Sequence, residues 1–275
     1  MKKYHNHSES FKNATIAFLF IFVFFSCGNS VIKKEFCNSE GQQVVQEWFN
    51  DNQIKSSIIY FDKSGENYVS VSYNIQGRMI DSAVYKNGHP EGVHKYFDAN
   101  SGLTHIETYK NGMLTGISKA IYDNGVTSFQ GYMKNNNKAG EWIFHYRDGR
   151  PITYEFYDSS GKIKYFKKYD DSGNTEKVTG SGIIDVVLNT EKTDANTLIK
   201  ANVTVASPSG SKTGLSVSKD GTTIVNSYNL KKPVIQFVFP EDKKGEKIYN
   251  FILTMKDEKN GKTEEYSVKK TIIVK

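Results

Sequence analysis

Apolar and polar residues alternate in short runs from about residue 43 to residue 174, and turn-forming residues separate these runs. In the run at 140–146, Trp142, Phe144 and Tyr146 fall on one face of an extended strand, and polar residues fall on the other. A period of two residues predicts β-strands that present different chemistry on their two faces.

Turn signals recur about every twelve residues between residues 50 and 173. The sequence YKNG occurs at 85–88 and again at 109–112, and Gly92, Gly116 and Gly140 are each 24 residues apart. Asn-Gly pairs readily adopt the positive φ that tight hairpin turns require. The repeating unit is therefore predicted to be a β-hairpin of about 24 residues, long enough for two strands and two turns.

These patterns predict an all-β fold whose first part, residues 43–175, is an elongated antiparallel sheet of about eleven strands. Residues 39–50 could instead form a short helix with Ser39 and Gln42 as a capping box. The repeat register favours a strand there. The high content of aromatic residues, 17 Tyr and 17 Phe, also favours strands.

A second domain is predicted over residues 181–275. Aromatic residues become rarer after Gly173, the turn period is lost, and Gly180-Ser181-Gly182 reads as a linker. Seven apolar runs in this region predict a β-sandwich. The pattern looks like an immunoglobulin-like or fibronectin-like module, which implies a structural or adhesive role.

The N-terminus has the organisation of a secretory signal peptide over residues 1–26. Lys2, Lys3 and Lys12 precede twelve largely apolar residues at 14–25. A helix of twelve residues spans about 18 Å, whereas the hydrocarbon layer is about 30 Å thick, so this segment is too short to be a membrane span.

The residues FFSCG at 24–28 resemble a bacterial lipoprotein box, in which a small residue precedes the cysteine that receives diacylglycerol. The resemblance implies a lipid on Cys27, with fatty-acyl chains such as palmitate holding the mature protein on a membrane. Ordinary signal cleavage after Gly28 is the alternative. Residues 27–42 are polar and are predicted to be a tether.

The repeated hairpins resemble MORN repeats, especially the bacterial variant of YwqK-like antitoxin-family proteins. The pattern is Gly-x-Trp-x-x-Tyr-Tyr-x-Asn-Gly followed by Tyr-x-x-Gly. It is best followed in two copies: Gly140, Trp142, Tyr146, Asp148 and Gly149, then Gly116, Tyr122, Asn124 and Gly125. The resemblance implies a non-enzymatic repeat sheet that contacts proteins or membranes.

Composition and motifs argue against several other functions. The formal net charge is +6, but Lys and Arg alternate with Asp and Glu, so no basic block indicates nucleic-acid binding. The four histidines beyond the signal peptide lack neighbouring ligands at metal-binding spacing, and no nucleotide-binding or nucleophile motif occurs. We therefore expect no enzyme activity, no metal and no cofactor. Cys37 is expected to be a free thiol, and an intermolecular crosslink is the alternative.

The sequence thus predicts a lipid-anchored protein of the bacterial cell envelope, on the outer membrane and facing the periplasm or the cell surface. Its repeat sheet would bind another protein or a surface glycan. The alternative is an antitoxin or immunity protein whose partner is a toxin. The aromatic residues proposed for the binding face are Trp142, Phe144, Tyr146, Tyr122 and Tyr109.

Overall fold

The computed structural model describes residues 32–50, 52–228, 230 and 233–275. Its regular elements are all strands, so the predicted all-β class is confirmed. The strand predicted within residues 39–50, rather than a helix, is present at Gln43–Asn50. In chain order the strands are β1 Ile32–Cys37, β2 Gln43–Asn50, β3 Gln53–Tyr60, β4 Tyr68–Tyr73, β5 Met79–Lys86, β6 His89–Pro90, β7 Gly92–Asp98, β8 Leu103–Lys110, β9 Met113–Ile121, β10 Thr127–Lys134, β11 Asn137–His145, β12 Pro151–Tyr157, β13 Ile163–Tyr169, β14 Thr175–Gly180, β15 Ile183–Leu188, β16 Lys192–Thr193, β17 Thr197–Val205, β18 Ser211–Lys219, β19 Thr222–Tyr228, β20 Val234–Glu241, β21 Gly245–Asp257 and β22 Thr263–Val274.

Strands β1 to β14 form one antiparallel sheet in which neighbours in sequence are neighbours in space. The two-residue strand β6 pairs only with β5, so β5 continues to β7. At three tight turns, two successive residues have positive φ. Two of them, Asn87-Gly88 and Asn111-Gly112, were predicted by their Asn-Gly signals, and the third is Asn135-Asn136, 24 residues later. Gly92, Gly116 and Gly140 also have positive φ, and this explains why glycine recurs there at 24-residue spacing.

A second kind of turn recurs at positions that are separated by multiples of twelve residues. In seven turns, a side-chain oxygen of Asn or Asp accepts a hydrogen bond from the backbone amide two residues later. This is the Asx turn, in which a short polar side chain replaces a backbone acceptor. The seven residues are Asn38, Asn50, Asp62, Asn74, Asp98, Asp158 and Asp170.

The aspartates of these turns make the sheet sensitive to acid. The hydroxyl of Ser64 holds the pKa of Asp62 below its usual value, and the hydroxyl of Ser160 does the same for Asp158. A carboxyl whose pKa is lower in the folded state stabilises the fold above its unfolded pKa, and this stability is lost as pH falls through the folded pKa. We expect the urea concentration at the unfolding midpoint to decrease as the pH is lowered below about 4.

The matched variant is Asp62→Asn combined with Asp158→Asn, because Asn74 already makes the same turn with an amide. The variant should show a shallower fall of the urea midpoint between pH 7 and pH 3. An acid limb as steep as that of the unmodified protein would contradict this assignment.

The sheet extends beyond both predicted limits of the repeat region. The prediction of a tether over residues 27–42 was wrong for its second half, because Ile32–Cys37 is strand β1 and pairs with β2 along its whole length. Residues 27–31 lie outside the described residues. At the other end, Thr175–Gly180 forms β14 and pairs with β13, so the segment taken as a boundary completes the sheet. The turn at Asn38, on the twelve-residue frame, was the missed sequence signal.

The C-terminal part is a β-sandwich of two sheets, ordered β15-β17-β20 and β16-β22-β21-β18-β19. Its core contains fully buried apolar side chains from both sheets, among them Ile199, Val203, Leu215, Phe251 and Leu253. Each predicted strand run is present, and the short β16 is added. The sandwich architecture agrees with the immunoglobulin-like expectation.

The sandwich packs on one face of the large sheet near its C-terminal end. Tyr154, Phe156, Tyr165 and Tyr169 of β12 and β13 are at most 6% exposed and belong to the same buried cluster as the sandwich core. The large sheet is therefore covered on this face at its end.

Candidate functional site

Aromatic side chains line one face of the large sheet. Ring centroids lie 4.5 Å apart between Tyr68 and Tyr85 and 4.8 Å apart between Tyr96 and His105. Further contacts extend this row along the sheet towards its C-terminal end. We call this surface the aromatic face, and its members are Tyr68, Tyr85, His94, Tyr96, His105, Tyr109, Phe129, Trp142, Phe144 and Tyr157.

The carboxylates of the aromatic face are already occupied. Asp81 lies 2.8 Å from Nε2 of His94. Glu107 accepts a hydrogen bond from the Tyr109 hydroxyl at 2.9 Å and lies 3.5 Å from the Tyr96 hydroxyl. Burial, followed by the charge of Glu107, raises the pKa of Tyr96 to about 12, so the phenol keeps its proton at neutral pH. The polar groups of this face mainly satisfy one another.

Lys138 is held within the aromatic face. Its ammonium lies 4.6 Å from the ring centroid of Trp142, 4.8 Å from that of Phe144 and 5.2 Å from that of Tyr157. Glu155 lies 3.6 Å away. Burial lowers the pKa of Lys138 despite the opposing effect of Glu155. This cation-binding cage is filled by the chain's own lysine.

The prediction that Trp142 is part of an exposed binding face was wrong. Its side chain is only 3% exposed. The indole lies over Gly131, where an added Cβ would come within 2.1 Å of the ring, and Nε1 donates a hydrogen bond to the Tyr132 carbonyl. Trp142 is therefore part of the sheet's own packing, since only glycine leaves room for the indole against the next strand.

The other predicted binding residues do not form one exposed surface either. Tyr109 and Phe144 are half-buried in the aromatic face. Tyr122 and Tyr146 lie at turns, where the guanidinium groups of Arg147 and Arg150 cover their rings at 5.3 Å. Cys27 lies outside the described residues. Among the predicted residues, the structure brings only Tyr109, Trp142 and Phe144 onto one face.

The opposite face of the same strands carries exposed apolar side chains. The fractional exposure is 56% for Val93, 54% for Ile117, 48% for Tyr132, 44% for Phe97 and 37% for Val84. Register and strand alternation place these residues on the side opposite His94, Tyr96 and Phe129. Large apolar groups exposed side by side on a sheet are typical of an interaction surface.

Lysine is the only charged residue type that these strands present on this side. The residues are Lys86, Lys95, Lys110, Lys119 and Lys134. None of them forms an ion pair with another residue of the described ranges. The acidic residues of the same strands, Asp81, Asp98 and Glu107, fall at the alternate positions that face the other way. We call this surface of β4, β5 and β7 to β10 the lysine face.

Sequence reasoning missed the lysine face because it weighted aromatic residues. The signal was present as an apolar-Lys-apolar pattern at every second residue, at 93–97 and again at 117–121, which is 24 residues later. The strand prediction already implied that each triplet shares one face.

Potential metal ligands do not cluster in the described residues. No group of three or more His, Cys, Asp or Glu side chains that could hold a metal ion occurs among these residues. In the same ranges, no helix is long and apolar enough to cross a membrane. No protein-family model matches the chain, and no curated protein matches it.

Proposed function

We propose that the large sheet is an interaction platform and that its lysine face is the surface that binds a partner. The observation that carries this proposal is the row of exposed, unpartnered apolar side chains, from Val84 on β5 to Tyr132 on β10, across five neighbouring strands. Burying such side chains contributes roughly 25 cal/mol per Å² of apolar surface removed from water. A partner that covers the lysine face would gain this free energy.

The aromatic face is the weaker candidate. Its carboxylates hold His94, Tyr96 and Tyr109, and its aromatic cage holds Lys138. A ligand there would have to replace these contacts. On the lysine face the ammonium groups have no such internal partner, so binding breaks no ion pair of this face.

The test is site-specific photocrosslinking of the full-length protein in the cells that produce it. A benzophenone side chain is placed at Val93 on the lysine face or at Ser70, a half-buried position of β4 with aromatic-face register. Adducts of defined mass from Val93 but not from Ser70 are the expected result. Absence of any adduct from both positions would contradict a platform function.

We further propose that a lipid on Cys27 holds this platform at the bacterial cell envelope. Support comes from the small residue Ser26 before the cysteine and the apolar segment at 14–25. The intact mass of the mature protein should match an acylated chain starting at Cys27, and Cys27→Ala should abolish partitioning into detergent. A soluble native product starting at Asn29 would contradict the anchor. If the partner is a toxin, the same surface would serve as an immunity surface.

A further inference from the structure

The contact between β13 and the sandwich shows how this side of the sheet binds a protein surface. Tyr165, Lys167 and Tyr169 are alternate residues of β13, so they point to the same side, and each is at most 5% exposed. The Lys167 ammonium lies 3.5 Å from the carboxylate of Asp257 in the sandwich. The Tyr169 hydroxyl donates to the Ser209 carbonyl at 3.1 Å. The two tyrosine rings and the lysine between them thus pack against a surface of the sandwich that carries a carboxylate.

The same three positions recur earlier in the sheet. Residues 165, 167 and 169 lie 48 residues after 117, 119 and 121 and 72 residues after 93, 95 and 97, which are multiples of the 24-residue repeat. The register agrees: Lys95 pairs with Ile106, Lys119 with Gln130 and Lys167 with Val178, and each partner lies eleven residues later on the next strand. Hence β7 and β9 carry triads equivalent to the one that docks the sandwich.

These earlier triads are uncovered. In β7 the triad is Val93, Lys95 and Phe97, and all three side chains are exposed. In β9 the triad is Ile117, Lys119 and Ile121, of which Ile117 is 54% exposed and the other two are half-buried. Both are apolar-Lys-apolar, like the occupied triad. The difference is that no described residue supplies a carboxylate to Lys95 or Lys119.

We propose that the triads of β7 and β9 dock a second protein, one that presents carboxylates within an apolar surface, as the sandwich presents Asp257 to Lys167. This inference rests on the platform function proposed above and names its partner's chemistry. The lysine face has six strands at about 4.8 Å spacing, each about 26 Å long. Its surface area is therefore roughly 750 Å², close to the ~800 Å² that each partner buries in a stable interface. The free face also continues the side of the sheet that β13 already uses.

A second copy of this chain fits the lysine face poorly. Two lysine faces brought together would set ammonium groups against each other, and like charges across an interface cost several kcal/mol. The carboxylate of Asp257 is already engaged by Lys167 and by the Thr175 hydroxyl, at 2.7 Å, within its own chain. An acidic partner protein is the occupant that charge complementarity favours.

The experiment places a benzophenone side chain at Gln130, an exposed residue of the lysine face outside both triads. Crosslinking in cells is compared between the full-length protein and the variant Lys95→Glu/Lys119→Glu. The control is Lys243→Glu/Lys244→Glu, which changes the net charge equally at two exposed lysines of the sandwich, outside the lysine face. We expect about tenfold less adduct from the triad variant and a change of less than about twofold from the control.

Identifying the crosslinked adduct distinguishes an acidic protein partner from a lipid and from a second copy of this chain. Mass spectrometry should map the crosslink to a protein segment with Asp or Glu among apolar residues. An adduct with lipid or with a second copy, or a yield that both variants reduce equally, would overturn this inference and leave the platform function standing. Absence of adducts from Gln130, Val93 and Ser70 in the unmodified background would overturn the platform function and this inference together.

Discussion

Replacing Trp142 with alanine should lower the free energy of unfolding by about 3–5 kcal/mol. The indole is 3% exposed, packs against Phe129 with centroids 5.9 Å apart, and lies over the backbone at Gly131. In the described part of the chain, the sandwich packs on the opposite side of the sheet and cannot fill the cavity, and Lys138 would lose one wall of its cage. Urea unfolding followed by circular dichroism measures the change.

The matched control is Tyr132→Ala, which removes a ring of the neighbouring strand that is 48% exposed on the opposite face. We expect this variant to lower the free energy of unfolding by less than about 1 kcal/mol, because removing an exposed ring removes little buried apolar surface. Gly131→Ala should reproduce part of the Trp142→Ala effect, since the added methyl would displace the indole. Equal, small effects of all three variants would show that Trp142 is not a packing residue.

Replacing Lys167 with alanine should cost about 3 kcal/mol, because removal of one member of a buried ion pair leaves the other uncompensated. The lysine side chain is 3% exposed, and the Asp257 side chain is 11% exposed. Lys119→Ala is the control at the equivalent repeat position, where the ammonium has no ionic partner in the described ranges, and it should change stability by less than about 0.5 kcal/mol.

Comparing these two variants tests whether positions 119 and 167 differ only in whether the sandwich covers them. Thermal unfolding of both variants should show a clear loss for Lys167→Ala alone. Lys167→Met, which keeps the apolar stem, should lose less than Lys167→Ala if packing contributes beside the ion pair. A loss from Lys119→Ala as large as that from Lys167→Ala would contradict an uncovered triad in β9.

Much of the fold could be predicted because the turn chemistry is local. Asn-Gly at 87–88 and 111–112 requires positive φ and so marks hairpins directly, and twelve-residue spacing leaves room for little except one strand per turn. Strand β1 was missed because its burial pattern is almost entirely exposed. An edge strand with little buried surface carries a weak apolar signal, and only the turn at Asn38 marks it.

The proposed binding surface was harder to predict, for a physical reason. Alternation shows that Trp142 and Phe144 share a face, but it cannot show whether that face packs on itself or binds a partner. Packing depended on a residue in another strand, Gly131, which leaves room for the indole. Likewise, Lys95, Lys119 and Lys167 look alike in sequence, and only the tertiary contact of Lys167 with Asp257 separates the occupied position from the free ones.

Lysine reactivity in intact cells tests the central claim most directly. Cells and purified protein are treated with the same membrane-permeant acylating reagent, and modification of Lys95 and Lys119 is quantified by mass spectrometry, with the exposed Lys212 of the sandwich as internal reference. If a partner binds the lysine face, Lys95 and Lys119 should react freely in the purified protein and be protected in cells, while Lys212 should react equally in both. Equal reactivity of all three lysines in cells and in purified protein would contradict a partner on this face.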